Sequence, residues 1–396
     1  MNIKLSQRVQ SIKPSPTLAV TARAASLRAA GQDIIGLGAG EPDFDTPEHI
    51  KQAGIDAINS GKTKYTAVDG TVELKTAIIN KLQKDNGLSY QLDQILVSCG
   101  GKQSFFNLAQ AFLDEGDEVI IPAPYWVSYP DMALLAGGVP VIVQASQEQS
   151  FKITPEQLEA AISNKTKLVV INSPSNPSGK AYSHDELAAL GAVLKKYPNI
   201  LIATDDMYEH ILWCDEPFSN IVMACPELYD QTIVLNGVSK AYSMTGWRIG
   251  YAAGPAALIK AMKKIQSQST SNPTSISQYA AQVALEGDQS CISDMLVSFK
   301  ERHDYVVEQV NNIEGLSCIP SDGTFYCFPD FNAILERMDT IDNDVDLAEY
   351  ILENAGVALV PGSAFGLDGH MRISIATSME NLVNAMDRIS QLLNRK

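Results

Sequence analysis

The chain predicts an α/β fold, with helices covering a mainly parallel sheet, continued by a smaller α+β module. Three observations carry that prediction. From Ile95 onward, apolar runs of four or five residues alternate with helical patterns. The runs are continuously apolar, which suits strands buried on both faces of a sheet. A long amphipathic stretch carrying Ile292, Met295, Leu296, Phe299, Val306, Val307 and Val310, closed by Gly315, then leads into shorter strands and helices.

In chain order, Ser15-Pro16 reads as an N-cap followed by proline at the first helical position, so a helix is expected to about Ala30, ended by Gly31. A short strand over 34–37 enters Gly38-Ala39-Gly40-Glu41-Pro42-Asp43. Its glycines invite a dinucleotide-binding reading, but that needs a helix opening on the last glycine, and Glu41-Pro42-Asp43 is a turn. Thr46-Pro47 is expected to cap a second helix, with Ile50, Ala53, Ala57 and Ile58 on one face and Gly61 after it. Strands are expected at 95–97, 119–121, 139–143, 168–171, 200–203 and 232–235. In an open parallel sheet, functional residues collect at the carboxyl ends of strands. Gly100-Gly101-Lys102, Tyr125-Trp126, Asn176, Asp205 and Lys240 each follow a strand within a few residues. Further on, 346–354 reads as helix, 357–360 and 371–375 as strands, and Thr377 with Glu380 as a capping box. The last helix carries Leu382, Met386, Ile389 and Leu393 on one stripe. No repeat, low-complexity tract or Pro-rich linker interrupts the chain, so its parts are expected to be tightly joined.

The length of 396 residues allows two or three domains, and 45% hydrophobic content supports a substantial core. Thirty basic against forty-six acidic side chains give a formal net charge of −16, which disfavours a nucleic-acid or anionic-membrane partner. An anionic substrate must therefore be drawn in by local arginines and lysines. The six cysteines, Cys99, Cys214, Cys225, Cys291, Cys318 and Cys327, show neither metal-ligand spacing nor a disulfide framework, and read as reduced thiols. The first residues lack the apolar core of a secretion signal, and no run approaches the length of a membrane span. The expectation is a cytoplasmic protein.

Lys240 is the residue to explain. Set among Val238, Ala241, Tyr242 and Met244 just past an apolar strand, it is partly desolvated, which favours a neutral, nucleophilic amine able to condense with an aldehyde. Arg248, eight residues on, is close enough to share its pocket. An aldehyde that also carries an anion fits the pair, and pyridoxal 5′-phosphate answers that description. A surface lysine with a structural arginine is the plainer alternative. Gly100-Gly101-Lys102 at a helix start is a plausible phosphate cradle, or only a turn. In Asn172-Ser173-Pro174-Ser175-Asn176-Pro177-Ser178-Gly179, two prolines and a glycine fix the loop and present the Asn176 amide, suited to a phenolic oxygen on a cofactor ring. Asp205 emerges from an apolar strand with Tyr208 three residues on, and such a carboxylate keeps a pyridinium nitrogen protonated. A metal site from Asp206, Glu209 and His210 is the rival, without a second ligand cluster to support it. His49 and His184 fall in first helical turns and are expected to face solvent. Trp126 could stack on a planar ring or simply pack. Arg372, inside a strand, requires an anion: either a carboxylate clamped bidentately or a structural ion-pair partner.

Together these motifs resemble the class I pyridoxal-phosphate aminotransferases, and within them the bacterial aspartate aminotransferases that also accept prephenate. The likeness covers nearly the whole chain. It rests on Gly-Ala-Gly-Glu-Pro-Asp-Phe at 38–44, Lys64-Tyr65, Gly100-Gly101-Lys102-Gln103, Pro124-Tyr125-Trp126 and Asn176-Pro177-Ser178-Gly179. It continues through Asp205-Asp206-Met207-Tyr208, Ser239-Lys240, Gly-Trp-Arg-Ile-Gly-Tyr at 246–251 and Met371-Arg372-Ile373-Ser374. The resemblance implies the type I fold of pyridoxal-phosphate enzymes, with a mainly parallel seven-stranded sheet in a large domain over 47–290. A small domain would combine 1–46 with 291–396. It also implies a homodimer with shared active sites. Lys240 would carry the cofactor, Asp205 would hold its ring nitrogen, Asn176 and Tyr208 its phenolic oxygen, and Trp126 would stack on the ring. Gly100, Gly101, Lys102, Ser239 and Arg248 would hold the phosphate, with Tyr65 from the partner chain. Arg372 would clamp the substrate α-carboxylate beside Gly40, Trp126 and Asn176; Lys102 would meet the distal carboxylate, and Lys13 would serve prephenate use. No metal is implied.

Two positions depart from the family pattern. Gly237 stands where serine is frequent, which puts one phosphate hydroxyl in doubt, and Asp206 stands where glutamate is common. The implied reaction is a two-stage exchange of an amino group from L-aspartate to 2-oxoglutarate, with Lys240 moving the α-proton. A β-eliminating C–S lyase or another class I aminotransferase would keep the same cofactor contacts. A nicotinamide dehydrogenase rests on the 36–40 glycines alone, and a non-catalytic ligand sensor on the same fold would carry a DNA-binding appendage.

Overall fold

The computed structural model describes residues 3–394. Strand β1 (Ile35–Gly36) lies apart from the large sheet, which takes β2 (Ile95–Ser98), β3 (Glu118–Ala123), β4 (Val139–Gln144), β5 (Thr166–Asn172), β6 (Leu201–Asp205), β7 (Thr232–Gly237) and β8 (Gly250–Ala253). Their order is β2-β8-β7-β6-β5-β3-β4. Neighbours from β4 to β7 run parallel, and β8 alone runs against both of its neighbours. The mainly parallel seven-stranded sheet is therefore present.

Continuous apolar runs arise because successive side chains feed two different cores. Ile95, Val97, Ile120, Val169, Ile171, Ile202 and Val234 pack on one face, while Leu96, Val119, Ile121, Leu168, Val170, Ile233 and Leu235 pack on the other. Alternation would leave one face wet; here neither is. Six strands of the sheet match the runs read from the sequence, and β8 was missed. Its Gly-Tyr-Ala-Ala has no β-branched residue, so nothing local marks it as a strand.

Together with β1, four short strands, β9 (Tyr326–Cys327), β10 (Val357–Ala358), β11 (Val360–Pro361) and β12 (Met371–Ser374), form the smaller sheets. The order β11-β12-β9 is antiparallel, and β1 pairs parallel with β10. These strands pack with helix Ser290–Asn311 and helix Met379–Leu393 around a third core that includes Phe299, Val306, Phe325, Leu382 and Ile389. Helix Asp344–Ala355 lies beside them, ended by Gly356 at φ +66°. Among the described residues no helix is long and apolar enough to cross a membrane.

Local expectations were corrected at several points. Thr46 does not cap the helix Glu48–Asn59: its hydroxyl donates to the Ser243 carbonyl and accepts from Trp247 Nε1. On that helix Ile50 and Ala57 are buried but Ile58 faces outward, because at 3.6 residues per turn it lies about 80° round from Ile50, off the stripe. The final helix is capped one residue late, Ser378 accepting from the Asn381 N–H, while Thr377 receives the Asn381 side chain. His184 is exposed as expected, whereas His49 is half-buried with its Nε2 enclosed and unpartnered.

Candidate active site

The carboxyl ends of β2, β5, β6 and β7 converge on one cavity of about 420 Å³, closed from the other side by Gly40, Tyr326 and Arg372. A larger cavity of about 780 Å³ lies behind Glu209 and His210, lined by Lys81 and several carboxylates. Chemistry rather than size selects the first, because the amine, the arginines and the strand ends all open into it.

Lys240 follows the end of β7 by three residues and is part-buried, its amine donating to the Gly40 carbonyl. Burial lowers its pKa to about 8, with Arg372 and Arg248 adding to the effect and Glu41 and Asp205 opposing it. The neutral amine needed for condensation is thus available near physiological pH. Asp205 ends β6, its Oδ2 accepting from the Tyr129 hydroxyl at 2.5 Å and its Oδ1 from the Met207 N–H at 3.3 Å. Burial raises this carboxyl, while the Tyr129 and Met207 donors and Lys240 pull it back.

The rigid loop after β5 is tied to its neighbours. Asn172 Oδ1 accepts from the Asn176 N–H at 2.9 Å, and Asn172 Nδ2 donates to the Asp205 carbonyl at 2.9 Å. Asn176 Oδ1 in turn accepts from Arg372 Nη1 at 2.9 Å. Arg372 sits on β12 only 2% exposed, its Nη2 donating to the Gly38 carbonyl at 2.8 Å and its Nε without a partner. It makes no ion pair among the described residues, so the structural-pair alternative is not realised. Each terminal nitrogen keeps a second N–H, two donors at the spacing of a carboxylate.

A second anion seat forms where helix Gly101–Phe112 begins. Gly100, at φ +91°, occupies its N-cap, and Arg248 lies beside it, at φ +57°, its Nη1 donating to the Thr245 carbonyl at 2.8 Å. A methyl on Gly100 would strike the Arg248 guanidinium, and one on Gly250 would overlap the Gly101 nitrogen. Only glycine leaves this cradle open for the helix N-terminus to meet an anion. Gly237 is explained in the same way: a Cβ there would lie 2.9 Å from the Ile249 carbonyl oxygen.

Gly101, Lys102, Trp126, Asn176, Asp205, Tyr208, Ser239, Lys240, Arg248, Gly40 and Arg372 all line the cavity. Lys102 lies 5.1 Å from the centre of the Trp126 ring, its pKa lowered by burial and by Arg248. Lys13 and Tyr65 lie outside: Lys13 is exposed, its backbone N–H 3.4 Å from Asp131 Oδ1, and Tyr65 is 92% exposed. The sequence reading missed Tyr129, Tyr326 and the face of helix Pro16–Ala29 bearing Thr17, Leu18 and Thr21, which also lines the cavity. The tyrosines carry no signal that separates them from core residues. The helix did carry one, since its apolar residues do not gather into a single stripe, and in the structure only Ala24 of the fourteen is buried.

Asp206 is turned away, accepting from Thr204 Oγ1 at 2.6 Å and Asn220 Nδ2 at 2.7 Å; burial and then Glu209 push its pKa up to about 7. Glu209 is paired with Lys81 and bonded to Asn86 and Asn236. Among the described residues no group of three or more His, Cys, Asp or Glu is arranged to hold a metal ion. The donor set instead fits a phosphorylated pyridine aldehyde: an amine, a carboxylate at ring depth, and a glycine cradle flanked by arginine.

A family model for aminotransferases of class I and II matches residues 32–389. An aspartate/prephenate aminotransferase of Nitrosomonas europaea is 61% identical over 99% of this chain and 100% of its own length. One from Cereibacter sphaeroides is 54% identical over 97% of each. The crystal structure of an aspartate aminotransferase from Rhizobium meliloti superposes with a TM-score of 0.95 at 48% identity, covering 100% of both chains. That of Thermus thermophilus aspartate aminotransferase with maleate gives 0.93 at 43% identity over 99% of this chain and 100% of that one. With its motifs gathered in one cavity and its relatives matched end to end, the chain belongs to the class I and II aminotransferases, enzymes that work with pyridoxal 5′-phosphate.

Proposed function

We propose that this aminotransferase moves the amino group of L-aspartate to 2-oxoglutarate and also uses prephenate. One observation carries the substrate class: a buried arginine with no acidic partner among the described residues, Arg372, shares a cavity with the amine of Lys240. A second cation in the same cavity, Lys102, suits the distal carboxylate of a dicarboxylate, and the chain's likeness to the Nitrosomonas aspartate/prephenate and Rhizobium aspartate aminotransferases supports the choice.

When bound, pyridoxal 5′-phosphate supplies an electrophilic carbon and a ring that accepts the electron pair left at the substrate α-carbon. In our reading the Gly100-Gly101 turn, Lys102 backbone, Ser239 and Arg248 hold the phosphate, with Tyr65 supplied by a partner chain. Asp205, steadied by Tyr129, holds a proton at the ring nitrogen. Asn176 and Tyr208 bond the phenolic oxygen, and Trp126 covers the ring. Arg372 fixes the α-carboxylate, with Gly40 beside it. That orientation leaves the α-hydrogen facing Lys240 Nζ, which takes the proton and delivers one to the carbon that receives the amino group. We also propose the domain division at 46/47 and 290/291, a homodimer with shared sites, a cytoplasmic location and a role for Lys13 in prephenate use.

Single-turnover absorbance spectra of the cofactor-loaded protein with a panel of amino acids test the reading. Aspartate should discharge the visible band; a response to neutral amino acids alone would remove the dicarboxylate claim. Pyruvate released from cystathionine without any oxo-acid acceptor would point to a C–S lyase instead.

A further inference from the structure

Tyr326 is a residue that none of the roles above uses. It sits on β9, fully buried, opposite Ser374 of the strand that bears Arg372. The face of its ring lies 4.3 Å from the Arg372 guanidinium carbon, and its hydroxyl is 3.1 Å from that of Tyr208. The chain around it is held under strain. Thr324, a β-branched residue, stands at φ +67°, its N–H donating to the Ile211 carbonyl at 2.8 Å and its Oγ1 accepting from the Tyr326 N–H at 3.2 Å. Such a conformation persists only where the surroundings dictate it. Ser321 Oγ adds a hydrogen bond to the Tyr326 carbonyl at 2.8 Å.

From these contacts we infer that Tyr326 is a positioning residue that couples the carboxylate clamp to the Tyr208 hydroxyl. The inference rests on the functional reading above and deepens it. The Tyr326 ring, with Phe365 at 5.0 Å, bounds the guanidinium while Asn176 and Gly38 take one N–H from each terminal nitrogen. The hydroxyl sets a direction. A phenol has one proton, and if Tyr208 spent its own on Tyr326 it would have none to offer a ligand in the cavity. Among the described residues the Tyr326 hydroxyl has no acceptor other than Tyr208. Donation from Tyr326 therefore satisfies Tyr208 as an acceptor, frees its proton for the phenolic oxygen, and strengthens that second bond by polarisation. Seating of a carboxylate on Arg372 and hydrogen bonding at the cofactor ring thus pass through one side chain.

Two variants separate the face from the hydroxyl. Tyr326→Phe keeps the ring, so maleate, titrated as a non-reacting dicarboxylate against the loaded protein, should bind within about twofold of wild type. The pH titration of its visible band should shift upward by about 0.2 to 0.4 unit, the polarisation lost from the Tyr208 bond to the phenolic oxygen. Tyr326→Met removes the ring and should weaken maleate by about tenfold as well. A Tyr326→Phe titration identical to wild type overturns the proposal by itself, so the test does not depend on the less conservative variant folding. Maleate binding by Tyr326→Met equal to wild type also overturns it. Wild-type protein inert towards aspartate would strike the functional reading instead, which keeps the two failures apart.

Discussion

The clearest consequence of burying Lys240 is electrostatic. Its amine titrates at about 8 in the folded chain, against roughly 10.4 when unfolded, so between those values the folded state binds fewer protons. Stability contributed by this group therefore rises with pH across that window and is flat below it. Denaturant midpoints of cofactor-free protein should climb from pH 8 to 10 relative to Lys240→Met, measured side by side; parallel curves would mean the amine is not desolvated. In the loaded enzyme, Lys240→Ala should abolish turnover while cofactor stays bound without a covalent link. Borohydride treatment followed by peptide mass mapping should label position 240 in wild type, and substantial residual transamination by the variant would remove the lysine from its role. Lys240, Asp205 and Arg372 were legible because each places a costly polar group beside an apolar strand, and burial demands an explanation. Tyr129 and Tyr326 were not, because a tyrosine in an apolar segment reads as core until its hydroxyl is seen to find Asp205 or Tyr208.

At the scale of elements, strand β8 and the start of helix Gly101–Phe112 must touch backbone to backbone. Gly250→Ala should force them apart and lower cofactor affinity by about tenfold or more in equilibrium titrations. Gly246→Ala, with open space around its Cβ, should bind cofactor as wild type does. At the far end of the chain, Ser378→Ala removes a helix cap and should cost about 1 kcal/mol in denaturant unfolding. Thr377→Ala should stay within about 0.5 kcal/mol, since Thr377 takes only a side-chain contact. A larger effect at Thr377 than at Ser378 would reinstate the cap first expected. The parallel strands were readable from sequence because both their faces are covered, leaving unbroken apolar runs. Strand β8 was not, because small residues chosen for close approach erase the propensity that marks a strand. The cap missed by one residue at Ser378 reflects how neighbouring Thr and Ser compete for the same N–H groups.

For the whole molecule, the exposed Tyr65 defines a test of the proposed dimer. Mixed dimers of Lys240→Ala and Tyr65→Ala chains should regain activity that neither parent shows fully. Random pairing would leave about a quarter of the sites with both native residues. No recovery after subunit exchange would argue against shared sites. Strand β1 is tied to a late part of the chain. It pairs with β10, the Leu37 carbonyl receives the Ser374 N–H, and the Gly38 carbonyl receives Arg372. During synthesis, the opening segment thus emerges from the ribosome long before its docking partners exist. Its pairing must wait until the last tenth of the message is translated, so a nascent chain truncated before β10 would lack the strand and arginine that anchor the Gly38–Gly40 turn, however well its large sheet had formed.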